Sequence, residues 1–172
     1  MQLQSRERSR LAEEDPKVYL DPLNAEFIPR GYMPFRISNQ GQRVNPAQAV
    51  SMQRIINVPS IAFDYIDRID PATSMVIVPT VDGDHLFPRR DILPELRQAW
   101  EDAHESGELD SDEFPFTITI HYRDAKGIRF ISDVSFKYSP LAEDDARRTA
   151  LSPHRMEYPI LKVTNTHIRR LS

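Results

Sequence analysis

The sequence contains no cysteine in 172 residues. That absence excludes a disulfide scaffold, thiolate zinc sites, iron–sulfur clusters and cysteine nucleophiles together. A globular chain of this length buries roughly 70% of the surface its unfolded form exposes, so it needs no such staple to hold a core. Glycine is also scarce, five residues against 14 prolines. Proline interrupts helices and central strands, whereas glycine serves tight turns, so short, broken elements are expected. An excess of positive charge is missing too: 22 Lys and Arg stand against 26 Asp and Glu, a net charge of −4. Without long-range attraction for a phosphate backbone, nucleic acid is not expected as the main ligand. No apolar run approaches the roughly 20 residues of a membrane span, and Met1–Leu11 lacks the apolar stretch of a secretory signal. The sequence therefore reads as a soluble, untargeted, cytoplasmic chain with one domain.

What is present is mostly patterned for strands. Residues 1–16 are polar, carry opposite charges at helical spacings and end at Pro16, which suits a short helix or an arm outside the core. A first strand is expected where Val18 and Leu20 alternate with Tyr19, and a second where Met33, Phe35 and Ile37 share one face before the turn at Asn39–Gly41. A weaker strand follows over Ala49–Ile56, and a fourth over Ile61–Ile66, where Ile61, Phe63 and Tyr65 alternate. The apolar run Met75–Val78 reads as a strand buried on both faces. One segment is clearly helical. Around Leu93–His104, Leu96, Ala99, Trp100 and Ala103 recur at three- and four-residue intervals, with Pro94 in the first turn and Gly107 as the stop.

The strongest local pattern is a hairpin. Phe116, Ile118, Ile120 and Tyr122 alternate with Thr117, Thr119, His121 and Arg123, and after Asp124–Gly127 a second arm puts Phe130, Val134, Phe136 and Tyr138 on one face. Asp at the start and Gly at a left-handed position fit a type I turn with a bulge. Residues 143–148 read as a surface loop or one helical turn, and Pro159–Arg170 as a last strand or extended arm. Short strands at even spacing, joined by hairpins and carrying one helix, describe a β-sandwich. Its domain is expected over 17–138, with the helix near 93–106, the arm at 1–16, and a C-terminal extension at 139–172.

Three stretches resemble a known group. Phe35–Met52, Ile66–Ile77 and Ile118–Phe130 resemble signature segments of immunoglobulin-like β-sandwich domains in poorly characterised bacterial proteins, often anchored in membranes. The resemblance implies an all-β, mainly antiparallel, immunoglobulin-like sandwich, here with one inserted α-helix and without the usual cysteine pair. By that resemblance Arg6–Asp15 would be a juxtamembrane segment. Fold alone does not assign function.

No catalytic pattern stands out. His121, Asp124 and Ser132 would serve acyl transfer only if they converged, and no Gly-x-Ser-x-Gly elbow accompanies them. The histidines at 85, 104, 121, 154 and 167 lack metal-ligand spacing, and the acidic run from Glu101 to Glu113, seven carboxylates without Lys or Arg, reads as solvated surface. No phosphate-binding glycine loop points to a nucleotide, so no metal and no cofactor is expected. The remaining candidates are contacts for a protein partner. The loop carrying Asp82, His85, Phe87, Arg89 and Arg90 mixes an aromatic with arginines, as interface anchors do, and Glu101 and Glu105 lie on the acidic run. The expected function is a non-enzymatic interaction or assembly domain that recognises a protein, or itself, through loops and terminal arms. Its rivals are a virion-associated structural subunit, such as a phage head–tail or tail component, and, behind that, a small hydrolase.

Overall fold

In the computed structural model, described here for residues 15–26, 33–41, 48–52, 61–62, 69–78, 80–82, 89–149 and 159–171, the fold is organised by the expected hairpin. Strands β8 (Phe114–Arg123) and β9 (Arg129–Tyr138) pair antiparallel without interruption, from Phe114 opposite Tyr138 to Arg123 opposite Arg129. The turn explains the register. Gly127 takes φ 85°, its N–H donates to the Asp124 carbonyl at 3.0 Å, and the Asp124 N–H donates to the Ile128 carbonyl at 2.9 Å. The Asp124 carboxylate is buried and accepts from the Lys126 and Ile128 N–H groups at 2.8 and 2.9 Å, so the turn is closed by side chain and backbone together. Every apolar position expected on the inner face is buried. Ser132 joins that face, where its hydroxyl meets the Tyr122 hydroxyl at 2.8 Å. On the opposite face Thr117 and Thr119 are buried as well, and Thr119 donates to Asp133 at 2.7 Å.

This hairpin is the centre of a four-stranded antiparallel sheet ordered β10-β9-β8-β3, with β3 spanning Gln48–Met52 and β10 spanning Leu161–Arg170. A second sheet, β1 (Val18–Pro22), β2 (Phe35–Asn39) and β5 (Thr73–Ile77), is also antiparallel. The two meet through apolar side chains. The Phe35 ring packs edge-on to Phe136 at 5.7 Å, Phe136 stacks on Phe116 at 5.2 Å, and Val18, Leu20 and Ile37 belong to the same buried cluster. A third sheet is small: β4 (Ile61–Ala62), β6 (Thr80–Asp82) and β7 (Arg89–Asp91). The expected strand ends at 53–56 and 63–66, and the arm before Asp15, lie outside the described residues.

Helix α1 covers Ile92–Ser106. Asp91 caps its start by accepting from the Leu93 N–H, and Gly107 closes its end at φ 78°, as the sequence suggests. Leu96, Ala99 and Ala103 are buried, and Trp100 packs on the core from its rim.

One expectation is corrected. Met75–Val78 is not buried on both faces: Met75 is 40%, Val76 53% and Val78 38% exposed. The physical reason is position, because β5 lies at the edge of its sheet and, among the described residues, pairs with β2 alone. The C-terminal part, expected as an extension with a last strand or arm, carries that strand as β10. Pro140–Thr149 forms a full helix, α2, started by Ser139, whose hydroxyl accepts from the Ala142 N–H at 3.1 Å, with Pro140 in the first turn. Ala142, Ala146, Ile160 and Leu161 enter the same core as the hairpin, and β10 pairs along most of β9.

Asn39 pins three segments together. It is fully buried, its Oδ1 accepts from the Gly41 and Lys17 N–H groups at 3.0 and 3.3 Å, and its Nδ2 donates to the Ile69 carbonyl at 3.0 Å. Asn39→Ala leaves buried backbone groups without partners, so a loss of about 2–3 kcal/mol is expected in urea unfolding. A loss below about 0.5 kcal/mol, the range of ordinary surface substitutions, would contradict this reading.

Candidate functional site

The expected contact residues fall into two groups. Asp82 ends β6 and stands opposite Arg89 of β7, with Val81 opposite Arg90, so strand pairing brings this acid and one arginine to matching positions. His85 and Phe87 lie outside the described residues. Glu101 and Glu105 are exposed one turn apart on α1. The acidic segment after the helix folds back on it: the Ser111 carbonyl accepts from Trp100 Nε1 at 3.1 Å and lies 2.6 Å from His104 Nε2. Leu109 packs on the core and its N–H donates to the Ala103 carbonyl at 3.2 Å.

His121, Asp124 and Ser132 do not converge. His121 is exposed opposite Ile131, whereas Ser132 is buried opposite Ile120, which puts the two on opposite faces of one sheet. The Asp124 carboxylate is occupied by the turn. Among the described residues, no group of three His, Asp or Glu side chains is placed to hold a metal ion. Among them, too, no helix is long and apolar enough to cross a membrane.

A polar cluster not anticipated from the sequence joins α1, β9 and α2. The buried Tyr138 hydroxyl donates to Glu143 Oε1 and accepts from Arg97 Nε at 3.1 Å. Arg97 then grips Asp144 with two contacts, 2.7 and 3.4 Å, and donates to the Pro140 carbonyl at 3.1 Å. Arg147, one turn along α2, donates to Glu143 Oε2 at 2.8 Å. Each carboxylate oxygen of the buried Glu143 thus has a donor, as a charge withdrawn from water requires. Burial, followed by the bond to Glu143, pushes the Tyr138 phenol well above its usual value. Nearby, burial also raises the Asp91 carboxyl, against the backbone N–H groups of Met33, Leu93 and Ile92 that favour its charged form. The cluster has the chemistry of a lock between elements, since each polar atom of Tyr138 and Glu143 is spent on a neighbour.

Among the described residues, the outer edges of β10 and β5 differ in character. The β10 edge carries Lys162, His167, Arg169 and Arg170 and is broken by a bulge between Val163 and Asn165, devices that discourage another strand. The β5 edge carries no charge from Thr73 to Ile77 and exposes Met75 and Val76. Comparison with protein-family models, with curated proteins and with solved structures finds no match to this chain.

Tyr138→Phe removes the hydroxyl and strands Glu143 Oε1 and Arg97 Nε, so a loss of about 1–3 kcal/mol is expected at neutral pH. The pH dependence has a definite sign. A phenol raised in the folded state contributes fully below its ordinary value of 10.0 and loses that contribution as pH climbs toward the folded value. The wild-type advantage over Tyr138→Phe should therefore shrink by about 1.4 kcal/mol per pH unit above that point. Urea titrations of both proteins at a series of alkaline pH values would show it, and a constant difference would contradict it.

Proposed function

We propose that the chain is a non-enzymatic protein-interaction and assembly domain, a β-sandwich made of its two facing sheets, that joins a second copy of itself by strand addition at β5. The observation that supports this most directly is the exposed, uncharged edge of Thr73–Ile77. An open strand edge offers a row of N–H and C=O groups, and natural folds blunt such edges unless they are used. Here β10 is blunted with cations and a bulge, while β5 keeps Met75 and Val76 in water.

A second copy suits the β5 edge because antiparallel pairing about a two-fold axis places the strand against itself. With no charged residue between Thr73 and Ile77, that arrangement sets no like charges opposite one another. The same operation on β10 would put Lys162 toward Arg170. The Asp82–Asp91 segment, expected as a contact, stays within the proposal as a second contact region.

The test is solution mass by light scattering across a concentration series. A dimer that grows in with concentration and is lost in Val76→Lys, with the melting temperature of the monomer unchanged, is the expected result. A monomer throughout, or a dimer indifferent to Val76→Lys, would overturn the proposal. A larger closed assembly dissolved by the same substitution would favour the structural-subunit reading.

A further inference from the structure

Charge is separated along the central hairpin. Strand β8 starts at Phe114, directly after the acidic segment, and finishes at Arg123 beside the turn. At the Phe114 end, Glu101 and Glu105 on α1 and Glu108, Asp110 and Asp112 in the segment folded back on it are all exposed. No Lys or Arg occurs between Arg97 and Arg123. Cations of α1, α2 and the start of β10 have other partners: Arg97 meets Asp144, Arg147 meets Glu143, Arg148 meets Asp145, and Lys162 meets Glu113. Lys137, near the end of β9, is exposed there and has no ion-pair partner among the described residues.

The other end of the hairpin is basic. Arg123, Lys126 and Arg129 are exposed around the turn, and among the described residues none of the three meets a carboxylate. Arg123 and Arg129 stand directly opposite each other, and like charges so placed are destabilising until an opposite charge relieves them. Asp124, the one acid of the turn, is buried against the Lys126 and Ile128 N–H groups.

Distance decides what these ends can do. Along β8 they lie about 30 Å apart, at roughly 3.3 Å per residue. That is several times the screening length of about 8 Å at physiological salt, so the two ends cannot neutralise each other within one molecule. Contact between two molecules can bring them together.

We infer that the hairpin tip of one copy, with Arg123, Lys126 and Arg129, docks on the acidic face of a second copy, built from α1 at Glu101 and Glu105 and the loop at 108–112. A second copy fits because the chain itself carries the complementary charge on an equally preformed surface. The tip is fixed by Asp124, and the acidic loop is tied to α1 through the Ser111 carbonyl at Trp100 and His104. Two ordered surfaces lose little freedom on meeting, and opposed charges set their register. Because unlike surfaces meet, the contact is head-to-tail and repeats from copy to copy unless the rotation closes. It goes beyond the two-fold, uncharged contact at β5 and uses different elements.

The test is sedimentation velocity of the full chain at neutral pH in about 0.01 M and about 1 M salt, where the screening lengths are about 30 and 3 Å. Association is expected at low salt, absent at high salt and unchanged by Val76→Lys. It should weaken about tenfold or more in either of two paired reversals, Arg123→Glu with Arg129→Glu, or Glu101→Lys with Glu105→Lys. Each pair repels after reversal as it did before, and all four residues are exposed, so thermal melts close to the wild type are expected. The decisive arm is a mixture. The two reversed proteins, each monomeric alone, should associate with each other at low salt, since each tip then faces an oppositely charged surface. A monomer at low salt, association indifferent to both reversals, or a mixture that stays monomeric would overturn the inference. Loss of the salt-dependent association in Val76→Lys would assign it to the β5 edge and overturn it equally. A chain that stays monomeric but binds a DNA duplex, and loses that binding in Arg123→Glu with Arg129→Glu, would give the tip to phosphate instead.

Discussion

The turn at Asp124–Gly127 is the constraint from which most of the architecture follows. A slip of one residue in an antiparallel pair exchanges its two faces. Here such a slip would turn Phe116, Ile118, Phe136 and their neighbours out of the core and bring His121, Arg123 and Lys137 into it. The buried Asp124 carboxylate, spent on two backbone N–H groups, prevents this at its source. With that register held, β10 has a template to pair with, β2 has Phe136 to receive Phe35, and Tyr122 is placed to reach the Val18 N–H, 3.4 Å away.

The polar lock of Arg97, Tyr138 and Glu143 works by a different economy. Burying a carboxylate with its partners often yields little net stability over apolar packing, but removing one partner from the set is severe. Such a cluster therefore selects one arrangement of α1, α2 and β9 more than it strengthens that arrangement. The alanines that α2 turns inward, Ala142 and Ala146, would pack in several registers. Glu143, with one oxygen for Tyr138 and the other for Arg147, accepts one.

Local periodicity made the hairpin and α1 legible, because both bury one face with large apolar residues at fixed spacing and both end at a glycine of positive φ. Helix α2 was not legible as a helix, since its buried stripe is made of alanine and glutamate; the Ser139–Pro140 start was the available signal. Met75–Val78 misleads for another reason. A run of apolar residues looks the same whether a sheet covers it or leaves it as an open edge, and only the neighbours of β5 decide. The lock was out of reach, because Arg97 meets Tyr138 across 41 residues of sequence. The meeting of β1 with β10 was equally out of reach, because no window of sequence contains Lys17 and Arg170 together.

That last juxtaposition has a topological meaning. The start of β1, the first strand of the sheets, lies beside the end of β10, the last. Folds of that kind tolerate circular permutation and serve readily as inserts, because a short bridge can join the two points without disturbing any strand pair. A chain reopened elsewhere and closed here would keep the hairpin, the lock and both large sheets, and its order of folding would become a free variable.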